Sequence, residues 1–529
     1  MFTNKKTLLA MSVASVFALS GCSSDDDKNE VVPDPIDPPT EVVVPPEAPA
    51  ELGAVVNGNI VDSATLNVVP STVMFFENGV ASTSLVDEEG NAVTSVTTED
   101  GNFSFLLKDG ADVNSVTAVV MADSYVQKTF VIDLSELSEG DLEVLLPVVS
   151  EETEGLAVEE TSSTVSGGSS ADPITGGVAN GKATAAVTVP GGTVLQDADG
   201  NPVEGDSVTL SVTAADTSTT AGAAITPEGL NAGSTTTVKQ PVGVASVEMV
   251  DSNGVKIKKF SQPITVSMAI PADKGVSTGD MLTLVSQNED TGVWTTETQQ
   301  VEVKDLMADG SFYNASFMTD HLTFFAATTE TAICANDQVT INFSESVAKG
   351  LQLKFESETD SLTKVLKASE VDSVTISGKK FAADGTARIT LVDKKTNDVW
   401  YDSVNEEAIC GTTINASVTA PAEVTLVDSV VTLTTTCSND ESAAPVTATG
   451  SNVKYYLDQN KAREKATSNG GGVYTLTNMI EGETYFVSVK YSGALASLNA
   501  NGGVVEQVEA GSDVTINRAI TCDVTTSAN

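Results

Sequence analysis

The sequence predicts an all-β protein made of tandem β-sandwich modules, and three observations carry that prediction. Apolar residues recur with period two in short runs, as in Val208, Leu210 and Val212, and again in Ile264, Val266, Met268 and Ile270. That alternation is the signature of a half-buried strand. Turn signals separate the runs, among them Glu89-Gly90-Asn91, Asp100-Gly101 and Asp251-Ser252-Asn253-Gly254. The 529 residues leave room for about three to five domains at roughly 100–200 residues each.

Residues 1–21 read as an export signal. Lys5 and Lys6 precede an apolar stretch, Leu8 to Leu19, that is too short to span a bilayer. It ends in Leu19-Ser20-Gly21-Cys22, which resembles a bacterial lipobox. The resemblance implies cleavage before Cys22 and acylation (a palmitate-type anchor) on its sulfur and new amino group. Small residues at Ser20 and Gly21 admit a peptidase, and a thiol is the natural acyl acceptor. Two or more chains on Cys22 anchor a protein firmly, so a membrane is the first expected partner. Ser23, where an aspartate would retain the protein at the inner membrane, implies sorting to the bacterial outer membrane. Residues 22–53 are acidic and proline-rich and are expected to be a disordered, extended tether.

Residues 54–149 are expected to form one β-sandwich. Its segment Thr97 to Leu107, TTEDGNFSFLL, places Phe103 and Phe105 two apart and therefore on one face of a strand. This segment resembles the carboxypeptidase-regulatory-like or transthyretin-like sandwich, which implies an accessory or structural module without a catalytic set. Residues 150–180, rich in Glu, Ser, Thr and Gly, read as a low-complexity linker, and residues 181–330 as a larger β-domain.

The last two modules, 331–421 and 422–529, read as a divergent repeat of Ig-like or transthyretin-like sandwiches. CANDQ at Cys334 parallels CSND at Cys437, and EEAIC at Cys410 parallels RAITC at Cys522. These four cysteines, in an exported chain, imply two disulfides with three conceivable pairings. Cys334–Cys410 with Cys437–Cys522 is favoured, because each pair ties the first strand of a module to its last. A Lys–Asn amide between Lys454 and Asn517 is a conceivable covalent alternative.

Charge and composition exclude several function classes. With 73 Asp+Glu against 27 Lys+Arg the formal net charge is −46, which repels nucleic acid. A single histidine, His321, rules out multi-histidine metal centres. No cofactor and no metal site is expected. Asp197-Ala198-Asp199-Gly200-Asn201 resembles the start of a calcium loop, but no glutamate closes it at the required distance, so it reads as a hairpin turn. Calcium held by scattered carboxylates is left without a supporting motif.

One constellation carries chemistry. The end of the larger β-domain contains Gly292, Trp294 and the run His321-Leu322-Thr323-Phe324-Phe325-Ala326. These residues resemble the proteolysis site of the GAIN domain of adhesion receptors, with its terminal H-L-[ST] strand. On an extended strand His321 and Thr323 point the same way. The resemblance implies that His321 activates the Thr323 hydroxyl, which attacks the carbonyl of Leu322 in a single-turnover self-cleavage. The expected function is a structural, adhesive or binding protein of the bacterial envelope that cuts itself between Leu322 and Thr323. The alternative is an uncleaved accessory lipoprotein that binds a glycan or protein. At most, then, the chain is a self-processing enzyme.

Overall fold

The computed structural model describes residues 40–347, 350–367, 370–420, 425–500 and 504–527; the lipobox and Cys22 lie outside them. The chain is all-β. Among the described residues its helical pieces are the short α-helix Thr220–Ile225 and two 3-10 segments, Ser135–Glu139 and Gly493–Asn499. Pro45–Cys522 form one compact unit. A second, separate unit pairs Thr40–Val44 antiparallel with Asp523–Ser527.

Three sandwiches share one topology. In each, the first strand lies between the last strand, which runs parallel to it, and a strand from the middle of the module, which runs antiparallel. Val55–Asp62 pairs with Leu142–Val148 and Asn102–Leu107; Gln338–Phe343 with Thr412–Ala416 and Ser373–Ser377; Leu426–Cys437 with Val514–Ile520 and Val473–Ile480. The repeat read between the last two modules therefore extends to the first. Disulfides join Cys334 to Cys410 and Cys437 to Cys522. Each bond sits beside the parallel first–last pair of its module, so it ties together the strands that lie furthest apart in sequence.

Cores follow from the alternation. Phe103 and Phe105 both point into the first sandwich and meet Phe75, with ring centroids 5.6 and 5.2 Å away. Gly58 lies flat over this group; a Cβ there would come within 1.9 Å of the Phe103 ring. In the last sandwich Tyr455, Tyr474, Tyr485 and Tyr491 are buried. Three of these hydroxyls reach backbone partners: Tyr455 donates to the Thr477 carbonyl at 2.8 Å, while Tyr474 and Tyr485 accept from the amides of Ser451 and Ile480. This answers the need of a buried phenol for a hydrogen bond.

The larger β-domain is an eleven-stranded sheet running from Leu156–Thr164 at one end of its path to Ile174–Asn180 at the other. Both of these strands fall inside the stretch 150–180 that composition marks as a linker. They pair through backbone with Ser207–Ala215 and Ala183–Val189 and bury few of their residues: Leu156, Ala157 and Ile174. Edge strands of this kind need little apolar content, which is why the sequence hides them. The tether is corrected in the same way. The β-branched run ending at Val44 forms a strand, and the residues after it pack on the last sandwich. There Thr449 donates to the Pro49 carbonyl, Ser468 reaches Glu51 at 3.2 Å, and Ala50 crowds Gly450.

The modules of the main unit do not hang as beads on a string. All eight residues of Val55–Asp62 are buried, because one face of the strand covers its own core and the other meets the last sandwich. On that second face Asn57 and Asn59 each donate to the Arg463 carbonyl at 3.0 Å, and the Arg463 amide donates back to Asn59 at 2.8 Å. Val61, Leu66 and Leu145 meet Val365 of the third module and Ala462 of the last. Ion pairs ring this patch: Lys394–Glu143 at 2.7 Å, Arg463–Asp100 at 2.8 Å, Lys395–Glu464 at 3.1 Å and Lys465–Asp141.

Lys394 is 2% exposed, and Glu143 and Glu464 raise its pKa against the effect of burial. Removing one partner of a buried pair leaves the other uncompensated. Glu143→Ala is therefore expected to destabilise the chain by roughly 3–5 kcal/mol, measurable by urea unfolding. Glu143→Gln, which keeps the shape and one acceptor, should cost less.

Candidate functional site

His321 ends the strand Phe312–His321, and Phe324 begins the strand Phe324–Ala332. The first pairs with Lys259–Pro271 and Val293–Leu306, the second with Thr237–Asp251 and Met281–Asn288. Leu322 and Thr323 form the crossover between two separate positions in the sheet. The expectation that His321 and Thr323 share one strand face therefore fails: the period-two argument needs a continuous strand, and this one stops between them.

Their contacts confirm the separation. The His321 ring is about a third exposed, with Nδ1 3.0 Å from Thr319 Oγ1 and 3.1 Å from Asp320, and Nε2 3.4 Å from Glu297. Its ring packs tilted against Phe325, with centroids 5.5 Å apart. Thr323 is buried and donates its hydroxyl proton to the Gln287 carbonyl, while its own carbonyl accepts from Val247 at 3.1 Å. Among the described residues no hydrogen bond joins the imidazole to the hydroxyl. The structure thus brings His321 together with Glu297, Asp320 and Thr319, and leaves Thr323 in the backbone network of the neighbouring strand.

The other conspicuous residues of this region serve an interface. Trp294 donates its indole N–H to the Glu228 carbonyl at 2.9 Å and meets Phe324 edge-on at 6.0 Å. With Val126 and Val149 of the first sandwich, Phe324 belongs to one apolar cluster, against which Trp294 packs. Gly292 has φ +72°, and a Cβ on it would lie 2.4 Å from Thr117 and 2.9 Å from Thr129 of the same sandwich. Glu228 completes the junction by pairing with that sandwich's outer strand, its amide to Thr129 at 2.9 Å and its carboxylate to the Val131 amide at 2.8 Å.

Beneath the crossover lies a carboxylate pair that sequence reasoning missed. Glu289 is 4% exposed and accepts from Ser246 at 2.6 Å, yet its second oxygen has no hydrogen-bond partner, nor has one oxygen of Glu248. Burial and the nearby Glu248 push the Glu289 carboxyl up to about 8, against the pull of Ser246, Lys258 and Lys256. The pairing of Ser246 and of Gln287 with Phe324 across the sheet, invisible in sequence, sets Glu289 beside this segment.

The loop Asp197–Asn201 is a turn: the Asp197 carboxylate accepts from the Asn201 amide at 2.8 Å. Asp87 and Asp251 make the same bond to Asn91 and Val255. Among the described residues no group of three or more His, Cys, Asp or Glu side chains is arranged to hold a metal ion. Lys454 and Asn517, the conceivable amide pair, are not brought together: Asn517 is exposed beside Thr434, and Lys454 is buried against the first sandwich.

Comparison with known proteins returned no matching family model and no matching curated protein. Among solved structures, the Bacillus anthracis TIE protein is similar at 10% identity and a TM-score of 0.13, over 70% of this chain and 59% of that one. The major pilin SpaD from Corynebacterium diphtheriae matches at 10% and 0.14, over 90% and 98%. Two B repeat units of the collagen binding protein of Staphylococcus aureus match at 13% and 0.13, over 88% and 99%. At such TM-scores these likenesses carry no weight for this chain.

Two outcomes are expected from this geometry. The purified chain should run as one polypeptide in denaturing electrophoresis, with Thr323→Ala indistinguishable from it; a fragment beginning at Thr323 would contradict the contacts described. For Glu289, a folded-state pKa above the unfolded value means that the native state holds a proton the unfolded chain has lost. Stability then falls as pH rises from about 4.5 to about 8. Glu289→Gln should flatten that decline, read as melting temperature against pH.

Proposed function

We propose that this chain is a lipid-anchored protein of the bacterial outer membrane, with a structural or adhesive role, and that it works as an uncut polypeptide. Acyl chains on Cys22 hold it to the membrane, and residues 45–522 form a rigid head rather than a flexible chain of domains. The observation that carries this reading is the first sandwich, which contacts all three other modules through buried polar and apolar surface. A protein whose work is to transmit load or hold a surface at a fixed distance needs such rigidity, whereas independent binding modules do not.

A second reading, a binding accessory for a glycan or protein, is favoured by one feature. A cleft of about 670 Å³ opens between the first, third and last sandwiches, with Phe130, Leu142, Leu362, Lys367 and Lys465 among its walls. Its size is within the range of a ligand site, and its walls mix apolar and charged groups.

Metabolic labelling with an alkyne palmitate analogue tests the anchor. The full chain should take up the label and sediment with outer-membrane vesicles, and Cys22→Ala should lose the label and appear in the soluble fraction. Labelling that persists in Cys22→Ala would overturn the assignment.

A further inference from the structure

A buried amine and a carboxamide meet where the first and last sandwiches join. Lys454 is 4% exposed, lies in the strand Asn452–Tyr456 of the last sandwich, and donates from Nζ to Asn102 Oδ1 of the first at 2.6 Å. The orientation of the Asn102 amide is fixed by its other end. Nδ2 faces three oxygens, the Gly58 carbonyl at 2.9 Å, Asn57 Oδ1 at 3.2 Å and Asn59 Oδ1 at 3.3 Å. Only Oδ1 can therefore point at the lysine. Asn57 and Asn59 are themselves locked by the Arg463 backbone, so the carboxamide has little freedom to turn away.

From this geometry we propose that Lys454 and Asn102 form a covalent amide cross-link, stapling the first sandwich to the last. Lys454 Nζ attacks Cγ of Asn102, the new Nζ–Cγ bond replaces Cγ–Nδ2, and the proton given up by the amine departs on the leaving nitrogen as ammonia. No oxidant, reductant or further reactant is consumed. The step requires a neutral amine, and burial lowers the Lys454 pKa to about 7. Glu88 and Asp100 oppose that shift, while Lys490 and Arg463 favour it. Burial works against the charge of Glu88, while Lys490 and hydrogen bonds from Ser104 and Asn452 favour it. A lysine at its ordinary pKa of about 10.4 would be almost wholly protonated and unreactive at neutral pH. Amides are poor electrophiles, so the reaction depends on holding the two groups in contact; fixed intramolecular pairs reach effective molarities of about 10⁵–10⁸ M.

Intact mass spectrometry of the full chain under denaturing conditions tests the proposal, before and after prolonged incubation at about pH 8. The expected mass falls short of the sequence mass, corrected for processing and two disulfides, by one ammonia. Tryptic digestion should then release a branched peptide joining the Lys454 and Asn102 segments. Lys454→Arg, which keeps the positive charge but cannot supply the amine, should restore the full mass and abolish the branched peptide. A wild-type chain that retains its full mass after incubation overturns the proposal. So does a deficit that survives in Lys454→Arg, since that would mark ring closure at Asn102 alone. Because the decisive reading is made on the wild-type chain, a variant that folds poorly does not affect it.

Discussion

The strand Val55–Asp62 is buried on both faces, and the arrangement of the main unit depends on that constraint. A strand covered on one side only would leave a sandwich that folds alone and hangs from linkers. Here the outer face carries Asn57, Asn59 and Val61, each of which has partners in later modules. Two buried asparagines without partners would cost several kcal/mol in lost hydrogen bonds. They are satisfied by the backbone of Arg463 and by Asn102, so the first sandwich is complete only when the last is in place. The middle domain is held from another side, where Gly292 brings a turn so near Thr117 that no side chain would fit.

Much of this was legible in the sequence, and the failures share a cause. The all-β class, the aromatic pair Phe103 and Phe105, the repeat and the pairing of Cys334 with Cys410 all rest on spacing within one strand or one module. What could not be read were the contacts between elements. Nothing local to Asn57-Gly58-Asn59 announces that a neighbouring module will supply hydrogen bonds to the two asparagines. The strands Leu156–Thr164 and Ile174–Asn180 look like linker because backbone pairing at a sheet edge needs only a few apolar residues, here Leu156, Ala157 and Ile174.

The candidate site shows the same limit. His321, Leu322 and Thr323 suggest chemistry when laid on a continuous strand. The crossover between two sheet positions sends the imidazole toward Glu297 and Asp320 and the hydroxyl toward Gln287. Trp294, Phe324 and Gly292, the residues that made the segment conspicuous, are occupied in docking the first sandwich. Packing demand accounts for their presence without a reaction.

Electrostatics strengthens the case that the junctions are specified. A chain with a formal net charge of −46 should push its modules apart, since like surfaces repel across any loose contact. Its cations are scarce, yet Lys394, Lys395, Arg463 and Lys465 are gathered where the first, third and last sandwiches meet, each facing a carboxylate. Scattered over the surface they would have stabilised little, because exposed pairs contribute about 0–1 kcal/mol. The two pairs buried on both sides, Lys394–Glu143 and Lys395–Glu464, convert mutual repulsion into a preference for one arrangement, because any other packing would bury one of these charges without its partner. The seam thereby holds the modules of the main unit together against their shared negative charge.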